Sequence, residues 1–335
     1  MMCFIFQSFF MYDASLWQPS ADIAILQKRA YLFKTIRTFF DERNVMEVDT
    51  PCLSLGSITD PHIEVLTSET RSLGKDLTYY LQTSPEYAMK RLLCAGSGSI
   101  YQLGKVFRAE EIGRRHSIEF TLLEWYRVGF DHWQLINEIE QLLARLLRLD
   151  DLRCERSSYQ ETFLQHTGID PFSATLLALQ HCANEHTEYG LEEEDRDTLL
   201  ELIFSSVVEP KLGQDVPCFI YDYPASQAAL ARTHFDENGE RVAARFELYW
   251  QGMELANGYY ELTDAEEQQR RFTDDAQTRE SLGLSVRQYD GRLISALKEG
   301  LSDCSGVALG VDRLLMLLCQ KTHIEEVLPF AHHRA

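Results

Sequence analysis

The sequence predicts an α+β fold in which helices flank a central antiparallel sheet. The first observation is a series of short β-like runs, several of which follow one another without an intervening helix. The second is that strands and helices mostly do not alternate in the regular βαβ pattern of a parallel sheet. The third is the composition, because 335 residues that are 45% hydrophobic and 25% charged can bury a large core.

The first third of the chain is predicted to contain two helices. Apolar residues recur at helical spacing from Leu26 to Phe40, and Ser20 is the expected N-cap of this helix. In the second helix, Ser84 is the expected N-cap, Glu86 lies in the first turn, and the helix ends near Gly96. For Glu86 alone, a favourable charge at a helix start is an equally ordinary interpretation. Strands are predicted near 45–48, 79–83, 99–103, 106–109 and 120–128.

The rest of the chain is expected to complete the sheet. Asp131 is the expected N-cap of a helix that continues to Leu149. Between 150 and 215, short helical patterns and acidic stretches replace the strand pattern, and we interpret this segment as a helical insertion. Strands are predicted again at 218–223, 245–250, 253–262 and 306–311, and helices at 264–282, 290–299 and 312–320.

Charge and cysteine content narrow the class of protein. The formal net charge of −20 argues against a large RNA footprint, because nucleic-acid binding depends on a basic face. Eight scattered cysteines without a CxxC pair indicate reduced thiols in a reducing compartment. His181, Cys182 and His186 do not share a helix face, so we expect no metal site there. No segment approaches membrane-spanning length, and we expect a cytoplasmic protein.

Two distant arginines and a histidine suggest a site for a triphosphate. Arg108 stands at the end of one predicted strand, His116 lies in the polar loop that follows, and Arg313 comes just after Gly310. Guanidinium groups hold phosphate oxygens in a fixed fork, and a glycine lets a base or phosphate approach the backbone closely. Taken singly, each arginine is more simply explained by an ordinary ion pair. Only their combination with nearby glutamates points to nucleotide chemistry.

Three glutamates recur at intervals of seven residues. Glu247, Glu254 and Glu261 would alternate between the two faces of one extended strand. A turn or bulge at Gly252 would bring the first two to one side, where their oxygens suit Mg²⁺. The dipeptide Asn257-Gly258 is equally typical of a hairpin turn.

Three segments, in chain order, resemble the signature motifs of class II aminoacyl-tRNA synthetases. They are the first helix and strand up to Pro51, the run from Phe107 to Phe120, and the run from Gly306 to Arg313. The segments 84–86, 120–126 and 254–262 are similar to the lysyl subgroup. The resemblance covers nearly the whole chain from about residue 20. It implies a central antiparallel sheet flanked by helices, and dimerisation through the first motif.

The resemblance also implies roles for individual residues. Arg108 would contact the α-phosphate, Phe120 would stack on adenine, and His116 and Arg313 would hold the outer phosphates, which makes the two arginines catalytic. Phe120 by itself is as readily a core aromatic. Glu247 and Glu254 would bind Mg²⁺. The further expected ATP contacts are Glu110, Ser117, Glu254, Leu255 and Gly310. The expected contacts of the amino acid are Ser84, Glu86, Glu124, Tyr126, Asn257, Glu261 and Ala308.

The chain departs from lysyl-tRNA synthetases in ways that favour a related family. The catalytic pattern begins about 20 residues in, so we expect a short extension at 1–19, with Met11 as an alternative start. A catalytic domain at 20–335 follows, and no anticodon-binding domain is expected. Ala308 stands where the tRNA-charging enzymes have glycine. Ala109 stands where some relatives have asparagine, and this difference affects one expected contact with ATP. The chain more closely resembles the elongation factor P–lysine ligases, truncated relatives that modify a protein lysine.

The reaction implied by this resemblance has two steps. ATP and (R)-β-lysine form an aminoacyl-adenylate, and the acyl group then passes to the ε-amine of a lysine on elongation factor P. A methyl group on a pocket wall can exclude one amine position, so we hypothesise that Ala308 favours β-lysine over α-lysine. tRNA is not an expected partner. A minimal lysyl-tRNA synthetase and a non-catalytic synthetase-like regulator remain open as alternatives, although such regulators typically lose the arginines kept here.

Overall fold

The computed structural model describes residues 17–72, 74–109, 111–187, 190–285 and 287–335. Its α-helices are α1 (Ile23–Asp41), α2 (Glu86–Cys94), α3 (His132–Leu147), α4 (Tyr159–Thr167), α5 (Leu176–His186), α6 (Arg196–Ile203), α7 (Ala265–Ser281), α8 (Gly291–Glu299) and α9 (Val311–Leu318). Its strands are β1 (Met46–Glu47), β2 (Leu53–Ser54), β3 (Thr67–Ser72), β4 (Lys75–Leu81), β5 (Ile100–Phe107), β6 (Glu119–Val128), β7 (Glu155–Ser158), β8 (Cys218–Pro224), β9 (Thr233–Phe235), β10 (Arg241–Tyr249), β11 (Glu254–Tyr260) and β12 (Cys304–Gly310).

A large sheet forms the centre of the described chain. Strands β5, β6, β12, β11, β10 and β8 lie side by side in this order, and each pairs antiparallel with the next. This arrangement confirms the predicted antiparallel sheet. Strand β1 pairs parallel with β5 at one end and β7 pairs parallel with β8 at the other, which the sequence pattern did not indicate. A separate small sheet has the order β2-β4-β3.

The two faces of the large sheet differ in chemistry. One face is covered by α1, α3 and α9, and its core contains the fully buried Phe40, Leu123, Trp125 and Leu309. Because side chains alternate along a strand, the neighbouring positions point to the opposite face, which carries the polar residues of the candidate site. A second apolar cluster joins the helices of the predicted insertion to β8 and β10, and a third joins α2 and α8 to the sheet.

Several predicted boundaries and one predicted alternative need correction. Helix α1 has Asp22 rather than Ser20 as its N-cap, because the Ser20 hydroxyl accepts a hydrogen bond from the amide of Ala331 instead. The two strands predicted near 99–103 and 106–109 are one continuous strand, β5. Asn257-Gly258 is not a hairpin turn but lies inside β11, between β10 and β12.

The predicted N-cap of α3 is confirmed by the structure. Asp131 caps α3 with a complete capping box, in which Gln134 is the reciprocal partner. The N-cap of α2 is Pro85 rather than the predicted Ser84, although the Ser84 hydroxyl accepts a hydrogen bond from the amide of Glu86 at 3.0 Å. The segment 150–215 contains α4, α5 and α6, together with the edge strand β7. No helix among the described residues combines the length and apolarity needed to cross a membrane.

Candidate active site

Two rows of side chains cross the polar face of the large sheet. In the first row, Glu124 pairs with Ala308, which pairs with Asn257, which pairs with Glu247. Residues directly opposite each other on neighbouring strands share a face, so strands β6, β12, β11 and β10 each place one predicted site residue side by side. The Asn257 Oδ1 atom is buried and has no hydrogen-bond partner among the described residues.

The second row lies two residues along each strand and therefore on the same face. It runs from Tyr126 through Gly306 and Tyr259 to Arg245. An added Cβ on Gly306 would lie 2.5 Å from a carboxylate oxygen of Glu261, so glycine is what allows these side chains to approach the β12 backbone. Tyr126, Gly306 and Tyr259 lie in segments that the sequence analysis compared with family motifs, but only Tyr126 was predicted as a site residue.

A β-bulge in β11 brings Glu254 to the polar face. Leu248 pairs with Ala256 but Tyr249 pairs with Glu254, which leaves Leu255 as the extra residue. Glu254 therefore shares the face of Glu247, as predicted, but the cause is this bulge rather than the turn at Gly252. The Leu255 side chain is only 2% exposed and packs in the main core, so only its backbone is open to a ligand.

The predicted phosphate-binding residues converge beside this bulge. Arg313 Nη2 lies 2.6 Å from His116 Nε2, and Arg313 Nη1 donates to the backbone oxygen of Glu254 at 3.0 Å. Burial, and next the charge of Arg313, lower the pKa of His116, and Arg108 contributes in the same direction. Arg108 and Arg313 also both oppose the rise in the pKa of Glu254. The charges of Arg108 and Arg313 therefore both lower the pKa of His116 and both counteract the rise in the pKa of Glu254.

The remaining predicted ATP contacts surround this cluster. The guanidinium carbon of Arg108 lies 5.3 Å from the ring centroid of Phe120, which is half-buried and on the sheet rather than in the core. Ser117 is buried in the same loop, and Gly310 is the N-cap of α9, one turn before Arg313. Glu110 lies outside the described residues.

Glu247 is held by three neighbours. Its carboxylate accepts hydrogen bonds from the Tyr223 hydroxyl at 2.7 Å, from the Tyr249 hydroxyl and from Arg245. Glu254 has a weaker partner, because its carboxylate lies 3.6 Å from Arg313. Burial, and next the charge of Glu247, raise the pKa of Glu254. Glu247 and Glu254 are therefore close neighbours. Hydrogen bonds orient the Glu247 carboxylate, whereas the negative charge of Glu254 is less fully compensated by a nearby cation.

A third carboxylate, which the sequence analysis missed, belongs to this group. Glu209 lies in the short helical segment Glu209–Lys211 of the predicted insertion. Burial raises the pKa of Glu209 to about 7, and the charges of Glu254 and Glu247 add to the rise. The backbone that follows it is tied to the turn before β11, since the amide of Gly252 donates to the oxygen of Leu212 at 2.9 Å.

The predicted amino-acid residues form a second cluster on the same face. Glu124 is 2% exposed and accepts hydrogen bonds from the Ser84 and Tyr126 hydroxyls, both at 2.7 Å. Burial, and next the charge of Glu86, raise the pKa of Glu124 to about 8. Burial also raises the pKa of Glu261 to about 7, although a nearby lysine opposes the rise. The carboxylates of Glu86, Glu124 and Glu261 lie close enough to raise one another's affinity for cations or protons.

That lysine is Lys90, a residue that the sequence analysis did not single out. Its Nζ lies 2.6 Å from Glu86 Oε1 and 2.6 Å from Glu261 Oε2, and its side chain is 1% exposed. The spacing of Glu86 and Lys90, four residues apart on a helix, was a visible signal, but such pairs are usually solvent-exposed. Only the packing of α2 against the sheet shows that this pair is buried.

One of two surface cavities lies beside the amino-acid cluster. One of about 260 Å³ is bordered by Ser84 and Pro85, and extends along α2 towards Asp290 and Arg292. The other, of about 300 Å³, is lined by Arg43, Arg127 and Glu138 and contains none of the predicted site residues. Among the described residues, the structure thus brings the predicted phosphate, metal and amino-acid residues together at one face of the sheet.

Comparison with known proteins identifies the family of this chain. The sequence matches the family model of class II tRNA synthetases (D, K and N) over residues 16–334. A protein of Hamiltonella defensa named elongation factor P–(R)-β-lysine ligase is 51% identical over 331 residues, which cover 97% of this chain and 100% of that protein. Proteins with the same name are 52% identical over 329 residues in Pseudoalteromonas translucida (96% and 100% covered) and 50% over 331 in Yersinia enterocolitica (97% and 100%). The chain therefore belongs to the class II tRNA synthetase family and, within it, to the elongation factor P–(R)-β-lysine ligases.

Proposed function

We propose that this chain is an ATP-dependent, AMP-forming ligase that activates (R)-β-lysine and transfers it to a lysine of elongation factor P. The observation that carries the proposal is the name shared by relatives that are 50–52% identical over nearly the full length of both chains. The paired clusters on the sheet face support it, because one cluster suits a polyphosphate and the other suits a diamine.

In the first step, the carboxylate of β-lysine attacks the α-phosphorus of ATP, and pyrophosphate leaves. Arg108 is the residue proposed to stabilise the charge on the α-phosphate, since its position at the end of β5 restricts its movement. Arg313 and His116 are proposed to bind the outer phosphates, and Phe120 to stack on adenine. Glu86, Glu124, Tyr126, Asn257 and Glu261 are proposed to hold the amino acid with its reacting carboxylate fixed in place.

In the second step, the ε-amine of the target lysine attacks the acyl carbon of the adenylate. A new amide bond forms, the bond to AMP breaks, and the amine loses a proton. Ala308 lies between Glu124 and Asn257 in the first row, which supports a role of its methyl group in selecting the position of the substrate amine.

Mg²⁺ is the proposed cofactor, and the carboxylates of this face fit it. Glu254 is the better candidate for direct binding, because its charge is incompletely compensated. Glu247 would bind as an oriented ligand, since Tyr223, Tyr249 and Arg245 already hold its oxygens. A bound Mg²⁺ supplies charge neutralisation for the phosphate oxygens.

We also propose that the protein acts in the cytoplasm as a homodimer. The support for a cytoplasmic site is that none of the described cysteines forms a disulfide. The support for a dimer is the likeness of the first helix and strand to the first class II motif. Light scattering at micromolar concentration tests the dimer, and a mass of one chain would contradict it.

The test of the proposed activity is mass spectrometry of elongation factor P after incubation with this protein, ATP, Mg²⁺ and one lysine isomer at a time. We expect one lysine of elongation factor P to gain the mass of a lysyl group, fastest with (R)-β-lysine. Bulk tRNA serves as the competing acceptor. Charging of tRNA without modification of elongation factor P would favour a minimal lysyl-tRNA synthetase, and no reaction with either would favour a non-catalytic regulator.

A further inference from the structure

Lys90 is a buried cation in the amino-acid cluster to which the proposed reaction gives no role. It lies on α2 and joins two elements, because its ammonium group contacts Glu86 on the same helix and Glu261 just after β11. The side chain is almost completely excluded from solvent. A lysine is buried at a considerable desolvation cost, so its retention here needs a compensating role.

The charges of the cluster show what this role is. Glu86, Glu124 and Glu261 together carry three negative charges when ionised, and Lys90 cancels one of them. The cluster keeps a net charge of −2, which balances the charge of +2 on the two ammonium groups of a lysine isomer. Each ammonium of a bound substrate then has one carboxylate charge to balance it, and no buried charge is left without a partner.

The same contacts fix the geometry of the carboxylates. The Lys90 ammonium lies between Glu86 and Glu261, and the Ser84 and Tyr126 hydroxyls hold Glu124. Neither oxygen of Glu261 accepts a well-aligned hydrogen bond among the described residues, although Lys90 lies close to one of them. Glu261 is therefore oriented by charge rather than by a hydrogen-bond network, and it keeps acceptor capacity for a ligand.

We propose that Lys90 is a positioning and specificity residue: it sets the charge of the amino-acid pocket to that of a substrate with two ammonium groups and orients Glu86 and Glu261. This inference rests on the proposed function, since it concerns the amino acid that the ligase activates. Lys90 does not act as a nucleophile or base. Burial alone would lower the pKa of its ammonium group, but the charges of Glu261 and Glu86 outweigh burial and raise the pKa, so the group stays protonated.

The other titratable groups near Lys90 do not change this balance. The thiols of Cys94 on α2 and Cys304 on β12 are near enough to feel its charge, but burial raises the pKa of both, so they are neutral at pH 7. Arg232 acts on Glu261 from a distance, and its own guanidinium is engaged by Asp303 and by the backbone oxygen of Glu261. The hydroxyl of Tyr126 is neutral because burial raises its pKa.

The charge match predicts how many protons leave when the amino acid binds. In the ligand-free pocket, carboxylates with raised pKa values hold protons at neutral pH, and two incoming ammonium groups displace them. Replacing Lys90 with a neutral residue adds one uncompensated carboxylate, which takes up a proton in the ligand-free state. Two ammonium groups balance only two of the three carboxylates, so the third carboxylate keeps its proton in the bound state of the variant.

The experiment is calorimetric titration of (R)-β-lysine and α-lysine into the whole protein at pH 7, in two buffers of different ionisation enthalpy. The variants are Lys90→Met, Glu261→Gln and the double variant, with Lys321→Met as a matched control. Lys321 also pairs with a glutamate, at 2.9 Å, but lies far along the chain after α9. Amino-acid-dependent pyrophosphate–ATP exchange gives the KM values for both substrates.

We expect Lys90→Met to release no more protons per bound lysine isomer than the wild-type protein at pH 7. We also expect the ratio of its KM to the wild-type KM to rise between pH 7 and pH 8.5, because the bound state of the variant must keep one proton. We also expect its KM for the amino acid to rise roughly tenfold or more while its KM for ATP hardly changes. In the Glu261→Gln background, which has lost one negative charge, Lys90→Met should lower the KM for the amino acid rather than raise it. The double variant regains the net charge of the wild-type pocket, so it should bind the lysine isomer about tenfold more tightly than Glu261→Gln alone.

Two results would overturn the inference without touching the proposed function: a KM for the amino acid in Lys90→Met equal to that of the wild-type protein at both pH values, or a double variant that binds no better than Glu261→Gln. If Lys90→Met does not fold, the comparison of the double variant with Glu261→Gln decides the question. If the wild-type protein binds no lysine isomer at all, the proposed function and the charge match fail together.

Discussion

Arg108 and Arg313 act on the same pair of groups although they are far apart in the sequence. His116 and Glu254 each respond to both guanidinium groups, and Arg313 contacts both directly. Among the described residues, the Arg108 side chain contacts Glu111 at 3.3 Å and the Phe120 ring. Its charge is therefore available for an anionic ligand, which is what a catalytic arginine requires.

The first prediction concerns Arg108. In Arg108→Ala, we expect the rate of amino-acid-dependent pyrophosphate–ATP exchange to fall about a hundredfold to a thousandfold, because a fixed donor to developing charge is lost. The matched control is Arg153→Ala, since Arg153 is largely exposed and, within the part of the chain that the structure describes, forms an ion pair with Asp151 alone. A loss of less than about threefold in Arg108→Ala, as for a surface ion pair, would contradict its assignment.

The second prediction concerns Ala308, between Glu124 and Asn257. Ala308→Gly removes one methyl group from the substrate face, so we expect the preference for β-lysine over α-lysine to fall by about tenfold or more. The ratio of kcat/KM for the two isomers in the exchange assay measures it. The same ratio in the variant and the wild type would show that this methyl group does not select the isomer.

At the level of strands, the site depends on close approach of backbones. Gly258 lies between β10 and β12, where an added Cβ would come within 2.8 Å of Cε1 of Phe246. Phe246 is fully buried and has no room to move. This explains why a glycine follows Asn257 inside a strand, where the sequence pattern suggested a turn.

The third prediction follows from this contact. Gly258→Ala should lower the free energy of unfolding by about 1–3 kcal/mol through overpacking, as measured by denaturant titration. Gly104→Ala in β5 is the control, because a Cβ there meets only the flexible Gln102 side chain at 3.5 Å. Equal stability of the two variants would mean that the contact with Phe246 relaxes at no cost.

Local patterns account for much of the sheet but not for its polar face. Period-2 runs and capping residues predict most strands and α3, because these signals come from neighbours in the sequence. The bulge at Leu255, the single strand β5 and the burial of Lys90 arise from pairing with distant strands, which no local pattern records. The convergence of Arg108 with Arg313 was a hypothesis from their residue types that the resemblance to a known family strengthened, and their roles remain predictions.

The whole molecule concentrates incompletely compensated carboxylates on one face, and this affects its stability. The pKa values of Glu124, Glu261 and Glu209 are raised from the ordinary 4.5 to about 8, 7 and 7. Between pH 4.5 and the raised pKa of each group, the folded state binds more protons than the unfolded state. The stability contribution of these groups is therefore complete below pH 4.5 and is lost as the pH rises through 7 and 8.

The fourth prediction is that the Tm of the ligand-free protein falls between pH 5 and pH 8.5, and that Glu124→Gln makes this fall shallower. An amide cannot ionise, so the part of the fall that comes from Glu124 disappears. Glu69→Gln, at an exposed position of β3, is the control. Parallel curves for wild type, Glu124→Gln and Glu69→Gln would show that Glu124 does not titrate in this range.

The central claim is that one face of the sheet binds both a nucleotide and a diamine. Pyrophosphate–ATP exchange with (R)-β-lysine, α-lysine and norleucine tests it most directly, because norleucine has the chain length of lysine but only one ammonium group. We expect exchange with the lysine isomers and at least about a hundredfold less with norleucine, since the carboxylates would lack a cation. Equal exchange with norleucine, or no exchange with either lysine isomer, would contradict the claim.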